Sequence, residues 1–244
     1  MDQPKQTTSR NHYFPIFLIN NWVIDAKSKE VLKTLIQPQY ENHNKSASTR
    51  QVLYDTKIYN EATESQTSKD DSELSQLIQL MKSNLSEANP VFKNSRFLQL
   101  IFKLFCRQPS LNETIINSTY QSLLNEPYLT CGVRNISQVR NDRRFKQWVN
   151  AQCLQETPYD ISQYYCKAKF TFYINQTNTP FILPDNTNTL LLPLSPRILV
   201  KLDFNDKNPL VHIEDITDPY TIEQINSLLI QNCTLYYISQ KADK

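Results

Sequence analysis

A single glycine, Gly132, stands in 244 residues, and that scarcity constrains the chain more than any other feature. Glycine is the default residue wherever a backbone needs positive φ. Turns of that kind must here rely on Asn and Asp, the next most tolerant types, and both are plentiful. The scarcity also removes classes of chemistry. A phosphate-cradling P-loop and a GxGxxG turn each need several glycines, and a GxSxG nucleophile elbow needs two.

The hydrophobic fraction is 39% and the charged fraction 20%, enough apolar material for a folded core and too little charge for wholesale disorder. A net charge of +2 gives no strong pull toward nucleic acid or an anionic membrane. The five cysteines are widely spaced with no CxxC pair, which points to reduced thiols in a cytoplasmic protein and away from a zinc knuckle. MDQPKQTTSR has no apolar h-region of a signal peptide. No apolar run reaches the roughly 18 residues of a membrane span. No metal or cofactor site is expected, because His12, His43 and His212 share no ligand spacing.

Residues 1–10 read as a disordered tail and 11–244 as one domain. Asn11 to Asp25 is dense in aromatic and aliphatic side chains, and Pro15 suits the first turn of a short helix or the start of a strand. Lys29 to Ile36 fits helix or strand, and Gln51 to Tyr59 reads as a strand. NEATESQTSKDDS, from Asn60, reads as a loop or extension before a helix over about 72–85. There Leu74, Leu77, Ile78, Met81 and Leu85 fall on one face, with Asp70, Asp71 and Ser72 as the expected cap. Helices are also expected over 94–107, from a capping box at Ser110–Glu113, and over 137–153 with Phe145, Trp148 and Val149 as anchors.

From Thr157 the period changes to two. Strands are expected at 168–175, 181–183, 189–192 and 198–204, with an edge strand at 209–216. Asp218-Pro219 opens a last helix, and TLYYIS from Thr234 is a closing strand. The architecture expected is α+β. A central helical bundle, about 72–153, packs with a small, mostly antiparallel C-terminal sheet, about 157–240.

Phe181 to Leu202, FILPDNTNTLLLPLSPRILVKL, is the best candidate site. A loop between two buried strands can hold a carboxylate such as Asp185 in position, although Pro-Asp-Asn-Thr is equally good turn chemistry. Arg197 reads as an anion contact or an ion-pair partner of Asp185. His12, ahead of an apolar segment, reads as a capping or packing residue or as a catalytic one. His12, Asp185, Asn186 and Arg197 form the candidate catalytic set. Arg140, Arg143, Arg144 and Lys146 on the fourth helix are candidate nucleic-acid contacts, with Phe145 and Trp148 as stacking partners. Helical spacing puts those aromatics opposite most of the charge, which favours a core face backed by a solvated one.

Several segments together resemble the bacterial family of domain of unknown function 4238. His12-Tyr13-Phe14-Pro15 with Leu18 resembles its opening motif, with Trp22 or Val23 at the family's Phe. Phe97 to Pro109 resembles its hydrophobic helix ending in Arg-x-Pro, through Arg107 and Pro109. Phe181, Asp185 and Asn186 match its Asp-Asn turn, where Leu183, Pro184 and Thr187 replace Thr, Ser and Pro. Pro193-Leu194-Ser195-Pro196 matches in full, and Ile225-Asn226 and Tyr236-Tyr237-Ile238 resemble the C-terminal pattern. The resemblance implies a single domain of bacterial or mobile-element origin and supplies no mechanism.

Three functions are expected. The first is a non-enzymatic interaction module, defence-related or toxin-like, with a protein partner. The second is a nuclease-like hydrolase of nucleotide or nucleic acid around His12, Asp185 and Arg197. The third is nucleic-acid binding through the basic helix 140–146. Whether the chain is an enzyme stays open, and no membrane partner is expected.

Overall fold

Alternation of period two puts Ala168, Phe170, Phe172 and Ile174 on one face of a strand, and all four are buried. In the computed structural model, which describes residues 10–36, 44–56, 59–86, 89–125, 136–154, 168–186, 190–204 and 210–240, that strand is β6 (Ala168–Asn175). It lies inside a four-stranded sheet with β8 (Leu191–Ser195), β9 (Ile198–Phe204) and β10 (Leu210–Ile216), in the order β10-β6-β9-β8. β6 runs antiparallel to β9 and parallel to β10. Both faces are covered. Phe172 packs on Phe92 and Phe97 from the helical region, while Leu191 and Leu199 join Ile222 and Leu229 of the last helix in a separate cluster. Double cover explains why β8 is buried at every position.

A second sheet draws on both ends of the chain. β2 (Val23–Asp25), β3 (Glu30–Leu35), β11 (Tyr236–Ser239) and β7 (Leu183–Pro184) lie in that order, with β4 (Asn44–Ser48) also on β3. β11 is antiparallel to both β3 and β7. β1 (Arg10–His12) and β5 (Tyr54–Thr56) form a separate two-stranded ribbon. The protein is thus mixed α+β, but its strands are not confined to the last third. Within the segment Lys29 to Ile36, Glu30–Leu35 is strand, and Pro15 precedes a short helix, α1 (Ile16–Ile19). Among the described residues of the expected strand at 51–59, Tyr54–Thr56 forms, while 57–58 lie outside them, as does the tail 1–10 except for Arg10, which pairs with Thr56.

The helices are α2 (Glu61–Ser83), α3 (Ser95–Cys106), α4 (Pro109–Leu124), α5 (Ile136–Val139), α6 (Arg143–Leu154) and α7 (Pro219–Gln231). α2 starts well before the expected residue 72, because Asn60 accepts from Thr63 N at 2.8 Å and caps it. The inner face of its first half is Thr63, Thr67 and Asp70, all buried, which an apolar periodicity cannot register. Asp70 is ion-paired to Lys103 of α3 and Asp71 to Arg107 just past its end, and neither caps. The capping box at Ser110 does not form. Gln108 precedes α4, and Ser110 N donates to Asn186 instead. The helix expected over 137–153 is broken at 140–142, where Asp142 accepts from Arg144 N and Phe145 N and starts α6 anew. Trp148 is no anchor either, being 47% exposed.

The missing glycines are compensated differently from the expectation. Among the described non-glycine residues, positive φ occurs at Lys29 and Leu53, not at Asn or Asp. Asparagine instead bonds the backbone through its side chain. Asn89 donates to Leu80 O, Met81 O and Asn84 O at the end of α2 and accepts from Val91 N. Asn175 holds Thr177, Thr179 and Pro196, and Asn226 bridges Pro180 O and Ile182 N.

Candidate functional site

The Asp185 turn follows β7, where the second sheet meets the segment joining α7 to β11. Its carboxylate is aimed at backbone. Oδ1 accepts from Thr234 N at 2.8 Å and Oδ2 from Leu235 N at 2.7 Å. Its own N–H donates to Tyr236 O at 3.0 Å, and its carbonyl accepts from the Tyr13 hydroxyl at 2.7 Å. The residue is 5% exposed. Burial pushes the Asp185 pKa above the usual carboxylate value, while the backbone N–H donors and the Lys33 ammonium pull it down. Asn186 continues the clamp, accepting from Ser110 N at 3.2 Å and donating to Thr234 Oγ1 at 3.2 Å.

The neighbours extend it. Tyr236 Oη accepts from Leu53 N at 2.9 Å, which fastens the residue held at φ 55°. Lys33 Nζ sits 3.8 Å from the centre of the Tyr236 ring. Burial pushes both the Tyr236 phenol and the Cys233 thiol up to about 12. Each keeps its proton when folded and loses it earlier when unfolded, from ordinary values of 10.0 and 9.0. The unfolded state therefore binds fewer protons between pH 9 and about 12, and stability falls as pH rises through that window. Urea midpoints measured across it are expected to decline, less steeply in Cys233→Ala. Parallel curves would contradict this.

His12 ends β1 and lies on a different feature. Its carbonyl accepts from Arg107 Nη2 at 2.6 Å, and Arg107 Nη1 pairs with Asp71 at 2.5 Å. Arg107 is buried. Burial opposes its charge, but Asp71 and Tyr59 outweigh that and hold the guanidinium above its ordinary range. A groove of about 640 Å³ opens here, lined by His12, Phe17, Tyr59, Glu64, Asp71 and Arg107 among others. Asp185, Asn186 and Arg197 are not among its lining residues.

Arg197 is exposed at the turn between β8 and β9. Ser195 Oγ accepts from Arg197 N at 3.2 Å, and Pro196 O accepts from Phe181 N at 3.0 Å. Pro193-Leu194-Ser195-Pro196 therefore shapes a hairpin. In the basic segment, Arg140 of the break and Lys146 of α6 both pair with Glu113 of α4, at 3.3 and 3.1 Å. Arg143 and Arg144 are exposed.

Four groove residues were missed from the sequence: Tyr59, Glu64, Asp71 and Arg107. The signal for two of them was present, since an Asp-Asp pair and an Arg on facing helices invite a buried ion pair. Assigning Asp71 to a cap hid it. Among the described residues no cluster of His, Cys, Asp or Glu could hold a metal, and no helix is long and apolar enough to cross a membrane. His43 lies outside the described residues, and His212 is exposed on β10. Comparison with family models, curated proteins and solved structures finds no match.

Proposed function

We propose that the protein is an interaction module for a protein partner, of a bacterial defence-related or toxin-like kind, working in the cytoplasm. One observation carries the reading: the residues that bear the resemblance are engaged with backbone, either one another's or that of their near neighbours. Tyr13 bonds Asp185, Arg107 bonds His12, Asn186 bonds Ser110, Trp22 Nε1 bonds Phe181 O, and Asn226 bonds Pro180 and Ile182. Polar groups so engaged hold a fold together, and both oxygens of the buried Asp185 carboxylate are turned to backbone N–H groups. The order of those motifs along the chain supports the resemblance to domain of unknown function 4238, and ion pairs between α2 and α3 and between α4 and α6 support a central bundle built around α3. Exposed apolar residues of the kind a module needs, Tyr220 and Leu228, lie on the outer face of α7.

A hydrolase is the second reading, and the groove under His12 favours it. Its acid would then be Asp71 or Glu64, with Arg107 as the cation. Purified protein incubated with nucleoside triphosphates, single-stranded RNA or duplex DNA, with Mg²⁺ and with EDTA, is expected to form no product above a blank. Product that disappears in His12→Ala would overturn the module reading.

A further inference from the structure

The structure divides the basic stripe of the fourth helical region into two unequal parts. Arg140 and Lys146 face Glu113 and share its carboxylate, and Arg140 Nε also bonds Asn117. Neither is available to a polyanion without breaking that pairing. Arg143 and Arg144 are exposed, and neither guanidinium has an ion-pair partner among the described residues. α6 itself carries no acidic side chain. The nearest acid in sequence, Asp142, has Oδ1 turned to the backbone N–H groups of Arg144 and Phe145.

Trp148 completes the arrangement. It follows Arg144 by four residues and so shares its helix face. Its ring stacks on Phe145, with centroids 6.1 Å apart and planes at 26°, and Phe145 in turn meets Tyr120 edge-on. The indole is supported from beneath yet 47% exposed, which is a poor use of a tryptophan on a face meant only for solvent. A rigidly backed aromatic face that shares its side of α6 with the available Arg144, and has Arg143 next along the chain, is a pairing that receives an unstacked base and its flanking phosphates.

We propose that Arg143, Arg144 and Trp148 form a binding site for single-stranded nucleic acid, the base stacking on Trp148 and the arginines contacting phosphate. The site is independent of the Asp185 clamp and of the groove at His12. A duplex does not suit it, because paired bases offer no free face.

Tryptophan fluorescence reads the site directly. The chain has two tryptophans, and the other, Trp22, is fully buried and bonded to Phe181 O. Titration with a 12-nucleotide oligouridylate should quench Trp148. Log affinity against log salt should fall with a slope of about −1.4, for two phosphate contacts on a single strand. Trp148→Leu keeps apolar bulk over Phe145 and removes the π face. Anisotropy of a labelled oligonucleotide should show it binding about 10-fold or more weakly. Arg143→Ala with Arg144→Ala should flatten the salt slope, and Arg50→Ala should change nothing. Absence of quenching and of an anisotropy change at millimolar oligonucleotide overturns the proposal. So does equal affinity for a matched duplex or for anionic phosphatidylserine vesicles, or unchanged affinity in Trp148→Leu.

Discussion

Asp185→Ala is expected to lower unfolding free energy by about 3–5 kcal/mol. The carboxylate accepts from Thr234 N and Leu235 N, one on each oxygen, at a residue 5% exposed. Hydrogen bonds to a charged group contribute about 1.5–3 kcal/mol each. Alanine loses both bonds, leaves the two partly buried N–H groups to solvent, and unties the entry to β11, the strand that joins β3 to β7. For a chain of this size each kcal/mol moves the melting point by about 2–4 °C, so a shift near 10 °C should be seen. Asp185→Asn should be nearly as damaging, since its amide NH₂ meets one of two backbone donors. Because burial raises the Asp185 pKa, its titration favours folding at low pH. That share is lost as pH rises through the raised value, so the variant should lack this component. A loss under about 1 kcal/mol would mean the turn is ordinary surface.

Asp70→Ala is the second large effect, again about 3–5 kcal/mol. Asp70 Oδ2 lies 2.8 Å from Lys103 Nζ, and Oδ1 receives Arg96 at 2.8 Å and Gln66 at 3.0 Å. Asp70 and Lys103 are each 7% exposed. Removing the acid strands a buried ammonium, and removing one partner of a buried pair is far worse than removing both. The adjoining space is about 10 Å³, at the lower limit for one water. Asp70→Leu combined with Lys103→Met should therefore recover most of the stability. Urea unfolding of the wild type, Asp70→Leu, Lys103→Met and the double variant gives the coupling directly. Additive single losses would show that the pair is not coupled across α2 and α3.

Local physics was legible where one element decides its own fate. The alternation from Ala168 to Asn175, the Asp218-Pro219 start of α7 and the apolar density of α3 each follow from period, cap and burial within a few residues. The start of α2 was hidden because its buried face carries Thr63, Thr67 and Asp70 in place of apolar residues, and the ion pairs of Asp70 lie on another helix. Trp148 was misplaced for the converse reason. An apolar side chain at helical spacing predicts a face, but whether anything covers that face depends on the neighbour.

The sequence by itself determined that this is a mixed α+β chain, almost without glycine, with its polar turn at Asp185 set between hydrophobic strands. Only the tertiary structure decided what that turn is for. Asp185 and Leu235 are far apart along the chain, and nothing local encodes their meeting. β11 must first pair with β3 and β7, bringing both ends of the chain into one sheet. The carboxylate then meets two backbone N–H groups, and His12 is carried to a separate groove with Arg107 and Asp71. A residue type states which bonds a side chain can make, and long-range packing selects the one it does make.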